Sequence, residues 1–191
     1  MRPVRAAVTA AVAIAVLGGC SRGETANETL PEAPPSATET SEALPPLGPP
    51  DLPMPPEARE QTEAGAAAFV RYYMDVYNNA QSSMDPTYLD QFSQDCETCN
   101  RIAAEISSDA SLGYAYRGGQ VSVDYIDTTE PEDMTVEAVF SMTQAPLTVV
   151  DATGQPVADL TFGERSSPGS GAILAWSQTD QTWVLNQWDV A

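Results

Sequence analysis

The chain has 191 residues, 27 of them acidic and 8 basic, for a net charge of −19 and no histidine. So acidic a surface is repelled by phosphate, which excludes nucleic-acid binding and a flat lie on an anionic leaflet. The absent histidine excludes Ser-His-Asp and Cys-His catalysis and removes the commonest zinc ligand.

At the start, Arg2 and Arg5 precede an apolar run from Ala6 to Gly19, about 14 residues. That is short of the roughly 18 residues needed to span a bilayer as a helix. The run closes on Leu17-Gly18-Gly19-Cys20, a layout that resembles the lipobox of bacterial lipoproteins. The resemblance implies a signal peptide over residues 1–19, cleavage before Cys20, and diacylglycerol on the Cys20 sulfur with a further acyl chain such as palmitate on its amine. Each buried CH₂ contributes about 0.8 kcal/mol, so one chain holds marginally and two or three hold firmly. The expected location is the outer face of the cytoplasmic membrane, lipid-anchored. An ordinary secretory signal with an incidental cysteine is the competing reading. Loss of Arg2 and Arg5 would take the net charge from −19 to −21.

Residues 20–56 read as the lipidated cysteine and a disordered tether. The stretch is dense in proline, serine, threonine and glutamate and has no aromatic residue, so it lacks the apolar surface that would offset ordering. Its reach lies between about 33 Å as a coil and about 110 Å as extended polyproline. Ser36, Thr38, Thr40 and Ser41 are candidates for O-glycans by composition.

Residues 57–191 are of a size for one domain with a proper core. Ala66, Phe69, Tyr73, Val76, Tyr77 and Ala80 recur at spacings of three and four and predict a helix. Pro56 suits its first turn, with Glu57, Glu60 and Glu63 at the positive end of the dipole. Asp85 as N-cap and Pro86 at the first position predict a second, short helix with Leu89 and Phe92 inward. A third starts near Asp95 and carries Cys99, Ile102, Ala103 and Ile106 on one face. It opens on Cys96-x-x-Cys99. With Cys20 lipidated, the remaining two cysteines form an even set that favours a disulfide in an oxidising compartment. A redox pair and a zinc site are the other readings, opposed by the flanking Asp95 and Glu97 and by the lack of two further soft ligands.

After Gly113 the apolar period becomes two. Val121, Val123 and Tyr125 form one strand, residues 127–133 a turn, and Met134, Val136, Ala138, Phe140 and Met142 the next strand. Further strands are expected at residues 147–150, 157–162, 172–179 and 183–190, with a Gly/Ser loop at 163–171 and a hairpin turn at Asp180-Gln181. Three helices followed by five or six antiparallel strands make an α+β domain. Asp124, Asp127, Glu130, Glu132 and Asp133 could hold calcium, but without a D-x-[DN]-x-[DN]-G loop they read as a solvated hairpin tip.

Pro55-Pro56-Glu57-Ala58, Thr62, Gly65-Ala66, Phe69, Tyr72-Tyr73, Asn78-Asn79 and Cys96-Glu97-Thr98-Cys99 resemble a family of actinobacterial lipoproteins with a domain of unknown function. That family is in turn similar to the nuclear-transport-factor and ketosteroid-isomerase cone, in which helices pack inside a curved antiparallel sheet. The resemblance implies a hollow between helices and sheet. Tyr72, Tyr73, Tyr77, Trp176 and Trp188 are its expected lining, with Asp75 and Trp183 nearby. Three readings follow: plain core packing, a binding site for an apolar small molecule, or a site where Asp75 or Asp189 and a tyrosine act in acid–base chemistry as an isomerase or lyase. The absence of a catalytic signature favours a non-enzymatic module without cofactor or metal, binding a ligand or an envelope protein. Apolar residues on both sides of strand 183–190 permit a dimer.

Overall fold

In the computed structural model, residues 46–190 are described; the expected signal peptide, Cys20, the candidate glycan sites and the tether up to residue 45 lie outside them. Among the described residues, no helix is long and apolar enough to cross a membrane.

The chain enters as a strap. Leu47 and Met54 are buried at 7% and 9% exposure, and the Met54 N–H donates to the Leu47 carbonyl at 3.1 Å. Gly48 donates its N–H to Gln91 Oε1 at 3.1 Å, and the Tyr72 hydroxyl donates to the Leu52 carbonyl at 3.0 Å. Gly48 has φ +89°, and a Cβ there would overlap the Tyr72 hydroxyl. Residues 47–54, expected as part of the tether, therefore pack on the domain. Leu47 and Met54 supply the apolar anchors that composition alone conceals, while the prolines between them limit the entropy lost on docking.

A 3-10 turn, Pro56–Arg59, follows and buries Ala58. Pro56 was expected in the first turn of the long helix. The extended backbone of Glu60 separates the two, and helix α1, Glu63–Ser83, begins instead at Thr62, whose Oγ1 accepts from the Gly65 N–H. The apolar stripe is as expected and is widened by Val70, Tyr72 and Met74. Helix α2, Thr87–Gln91, starts where Asp85 Oδ1 accepts from the Thr87 N–H and hydroxyl, and Leu89 and Phe92 point inward. Helix α3, Glu97–Ser111, is capped by Cys96 and buries Cys99, Ala103 and Ile106. Cys96 and Cys99 form a disulfide, fully buried.

Seven strands follow in two antiparallel sheets: β1 Ala115–Gly118, β2 Val121–Thr128, β3 Thr135–Gln144, β4 Leu147–Val150, β5 Pro156–Phe162, β6 Arg165–Ser177 and β7 Thr182–Asp189. Their orders are β2-β3-β6-β7 and β1-β4-β5. The expectation of five or six strands in one sheet is corrected on three points. Strand β1 is four residues long and mostly exposed, so it shows no alternation to read. The segment 163–171, expected as a loop, is largely the first half of β6. There Ser167 pairs with Met142 and Ser170 with Phe140, and both serines are buried. Small side chains opposite large ones let the strand pack without an apolar pattern of its own. The expected turn at 127–133 starts later, because β2 runs on to Thr128.

Register shifts interrupt β2–β3 between Val123 and Tyr125, β3–β6 between Phe140 and Met142, and β6–β7 between Ile173 and Leu174. Such bulges bend strands and increase twist, and α1 packs on the resulting four-stranded sheet around Phe69, Tyr73, Phe92, Phe140, Leu174, Trp183 and Leu185. Asn78 ties helix to sheet: its Nδ2 donates to the Val121 carbonyl and its Oδ1 accepts from the Val121 N–H, both at 2.8 Å. At the opposite end of α1, the Trp183 indole N–H donates to the Glu60 carbonyl at 3.0 Å.

Candidate functional site

A cavity of about 530 Å³ opens where the last turns of α1 and one face of α3 look onto both sheets. This is within the range of small-molecule sites. From α1 come Tyr77 and Gln81, and from α3 come Arg101, Ile102, Glu105, Ile106 and Asp109. The large sheet adds Val121, Met142, Ser167 and Trp188, while β4 and β5 add Leu147, Val149, Leu160 and Phe162. Tyr116 of β1 closes one side.

Its chemistry divides by depth. Trp188 is 3% exposed and Gln81 4%, and neither the Trp188 indole N–H nor either polar atom of the Gln81 amide makes a hydrogen bond. The Tyr77 hydroxyl is pushed up to about 12, by burial first and by Glu105 second. The nearby Gln81 amide partly offsets that rise without reaching ordinary hydrogen-bond geometry. Further out, the Tyr116 hydroxyl donates to Asp109 Oδ2 at 2.6 Å, and burial together with that carboxylate holds the tyrosine neutral well above its ordinary range. Arg101 and Glu105 pair at 3.0 Å with side chains 59% and 60% exposed, so the pair contributes little to stability.

Of the five expected lining residues, Tyr77 and Trp188 face the hollow. Tyr73 is buried behind them, edge-on to Trp188 at 6.2 Å. Tyr72 is spent on the strap and on Phe92, with ring centroids 5.5 Å apart, and its hydroxyl is pushed up to about 12 by burial and by Asp75. Trp176 packs edge-on against the fully buried Trp183 at 5.2 Å and borders a second, shallower cavity of about 320 Å³ beside Gln91 and Asp180. The aromatic set is thus divided between core and hollow. Tyr73, Tyr77 and Gln81 lie four residues apart on one side of α1, and the hollow lies only at that helix's C-terminal end.

The proposed carboxylates are also displaced. Asp75 lies at the surface, where partial burial raises its carboxyl, and Asp189 is exposed and accepts from Gln187 Nε2 at 2.6 Å. Neither lines the hollow, whose carboxylates are Glu105 and Asp109. Gln81 had a legible signal, a polar residue continuing the Tyr73 and Tyr77 spacing. Asp109 and Tyr116 had none, since β1 itself carries no pattern. In the acidic stretch, Asp124 accepts from the Thr143 hydroxyl at 2.9 Å. Among the described residues, no three His, Cys, Asp or Glu side chains are grouped as a metal site.

The DUF6318 family, a family of unknown function, matches residues 35–189. The chain belongs to that family. No curated protein matches it in sequence. Among solved structures, this DUF6318 chain is similar to the intermembrane-space region of the chloroplast protein ARC6, at 18% identity and a TM-score of 0.44 over 66% of this chain and 93% of that one. It is also similar to a Catenulispora acidiphila protein in complex with S-DNPA, at 15% identity and a TM-score of 0.42 over 67% and 93%. A third is Aln2 from a Streptomyces species, at 14% identity and a TM-score of 0.36 over 75% and 92%. Values this low transfer no activity or ligand to the DUF6318 chain.

Proposed function

We propose that this protein is a lipid-anchored, extracytoplasmic binding module of the cell envelope, held at the outer face of the cytoplasmic membrane through Cys20. The ligand is a small molecule in the hollow of the α+β domain. The observation that carries the reading is the hollow itself: about 530 Å³ with a mostly apolar wall, within the range of small-molecule sites. The lipobox supports the anchor, and the proline-rich segment before the strap supplies the reach.

Two measurements test the two halves. Cys20→Ser should move the protein from the membrane fraction of an actinobacterial host to the medium; retention in the membrane would refute the anchor. The secreted protein's melting temperature should rise on adding a small-molecule extract of the envelope, by mass action on the folded state, and Ile102→Glu should abolish the rise. No rise would refute the hollow as the binding site.

A second reading, an isomerase or lyase, is favoured by one observation, the 2.6 Å Tyr116–Asp109 hydrogen bond beside the hollow. In it Asp109 takes a proton from a bound substrate while the neutral Tyr77 hydroxyl steadies the developing oxyanion. It requires turnover that Asp109→Asn removes and Asp75→Asn leaves intact.

A further inference from the structure

The charges around the hollow, sorted by depth, specify what kind of molecule fits it. Every wall side chain that is charged near neutral pH is at or near the rim: Arg101 and Glu105 are more than half exposed and neutralise each other, and Arg165 is exposed on β6. Asp109 is half-buried with Tyr116 as its donor. The buried part of the wall is Gln81, Ile106, Val121, Met142, Val149, Ser167 and Trp188, and none of these side chains carries a charge. A charged group reaching this depth would shed its hydration with no counter-charge to replace it. An anion meets a second obstacle in the chain's net charge of −19, which repels it during approach.

At the mouth, Phe162 is 49% and Val190 38% exposed while still forming part of the wall. The apolar lining therefore continues from the floor onto the surface, which suits entry of an apolar body. The flanking strand β5, which carries Leu160 and Phe162, is the edge of its sheet, paired with β4 on one side only.

We infer that the hollow is selective for an uncharged, predominantly apolar small molecule. The inference rests on the hollow being a binding site at all, and the test keeps the two claims apart.

The Cys20→Ser chain is titrated with N-phenyl-1-naphthylamine, a neutral fluorescent probe, and with 1-anilinonaphthalene-8-sulfonate, which shares its ring system and adds a sulfonate. The neutral probe should saturate at one per chain and bind at least tenfold more tightly than the sulfonate. Decanol should then displace it at concentrations at least tenfold below those needed with decanoate or decyltrimethylammonium. Ile102→Glu, on half-buried α3 wall, should abolish probe binding; Leu160→Arg at the mouth serves the same purpose if the first variant does not fold. Tighter binding of the sulfonate, or better displacement by either charged amphiphile, would overturn the selectivity and leave the binding site standing. Failure of both probes and all three amphiphiles to bind would overturn both claims.

Discussion

Asn78 offers the most searching test of how the fold builds its site. Its side chain makes both backbone hydrogen bonds of Val121, each at 2.8 Å, and so acts as a short substitute strand at the start of β2. Val121 is 7% exposed and lines the hollow. Asn78→Ala removes two hydrogen bonds worth about 0.5–1.5 kcal/mol each and leaves a shielded N–H and C=O without partners. The expected loss is about 2–4 kcal/mol, a large share of the about 5–15 kcal/mol that holds a typical domain. Asn78→Asp at pH 7 should do no better, since it keeps an acceptor for the N–H but turns a carboxylate toward the Val121 carbonyl. Asn79→Ala changes a neighbour whose side chain makes none of these bonds and should stay within about 0.5 kcal/mol of the parent. Urea unfolding followed by tryptophan fluorescence measures all three. An Asn78→Ala loss below about 0.5 kcal/mol, or an equal loss in Asn79→Ala, would refute the clamp.

Three further outcomes are expected. Replacing Cys96 and Cys99 together by alanine opens a four-residue loop, and should cost about 2 kcal/mol in urea unfolding on chain-entropy grounds; no change would deny the disulfide a structural role. Leu47→Ala should cost about 2–3 kcal/mol because the side chain is 7% exposed, and a neutral result would return the strap to the tether. Burial raises the hydroxyls of Tyr72 and Tyr77 to about 12 and pushes Tyr73 and Tyr116 further up. The folded state therefore holds protons that the unfolded state releases near pH 10, and stability should fall as pH rises from about 10 to 12. A denaturation midpoint unchanged between pH 9 and pH 11.5 would contradict this.

How much of this was legible depended on whether a residue's role was periodic. Helix α1 announced itself because Phe69, Tyr73, Val76 and Ala80 are spaced as a buried stripe must be, and the paired cysteines because three residues on a helix start bring them within 5.2 Å at Cα. Strand β3 was legible for the same reason, its alternation running through Val136, Ala138, Phe140 and Met142. What failed to show was structure held by its partners. The first half of β6 is mostly serine and glycine, with no apolar alternation of its own, and pairs with β3 opposite Phe140 and Met142. Strand β1 is short and takes its pairing from β4. The strap hides two buried apolar side chains in proline-rich sequence. The site suffered most, since the hollow lies between α3, β1 and β5, two of them strands with weak patterns. Composition gathered the aromatics, but only the fold divides Tyr77 and Trp188, which face the hollow, from Tyr72 and Trp176, which do not.

The most direct measurement of the central claim is native mass spectrometry of the Cys20→Ser chain, secreted from an actinobacterial host and compared with its denatured mass and with Ile102→Glu. The account predicts one small-molecule adduct per chain, lost on denaturation and absent from the variant. An adduct of the same mass persisting in Ile102→Glu would place the ligand elsewhere. A wild-type mass equal to that of the bare chain, with no neutral probe taken up, would contradict the hollow as a binding site.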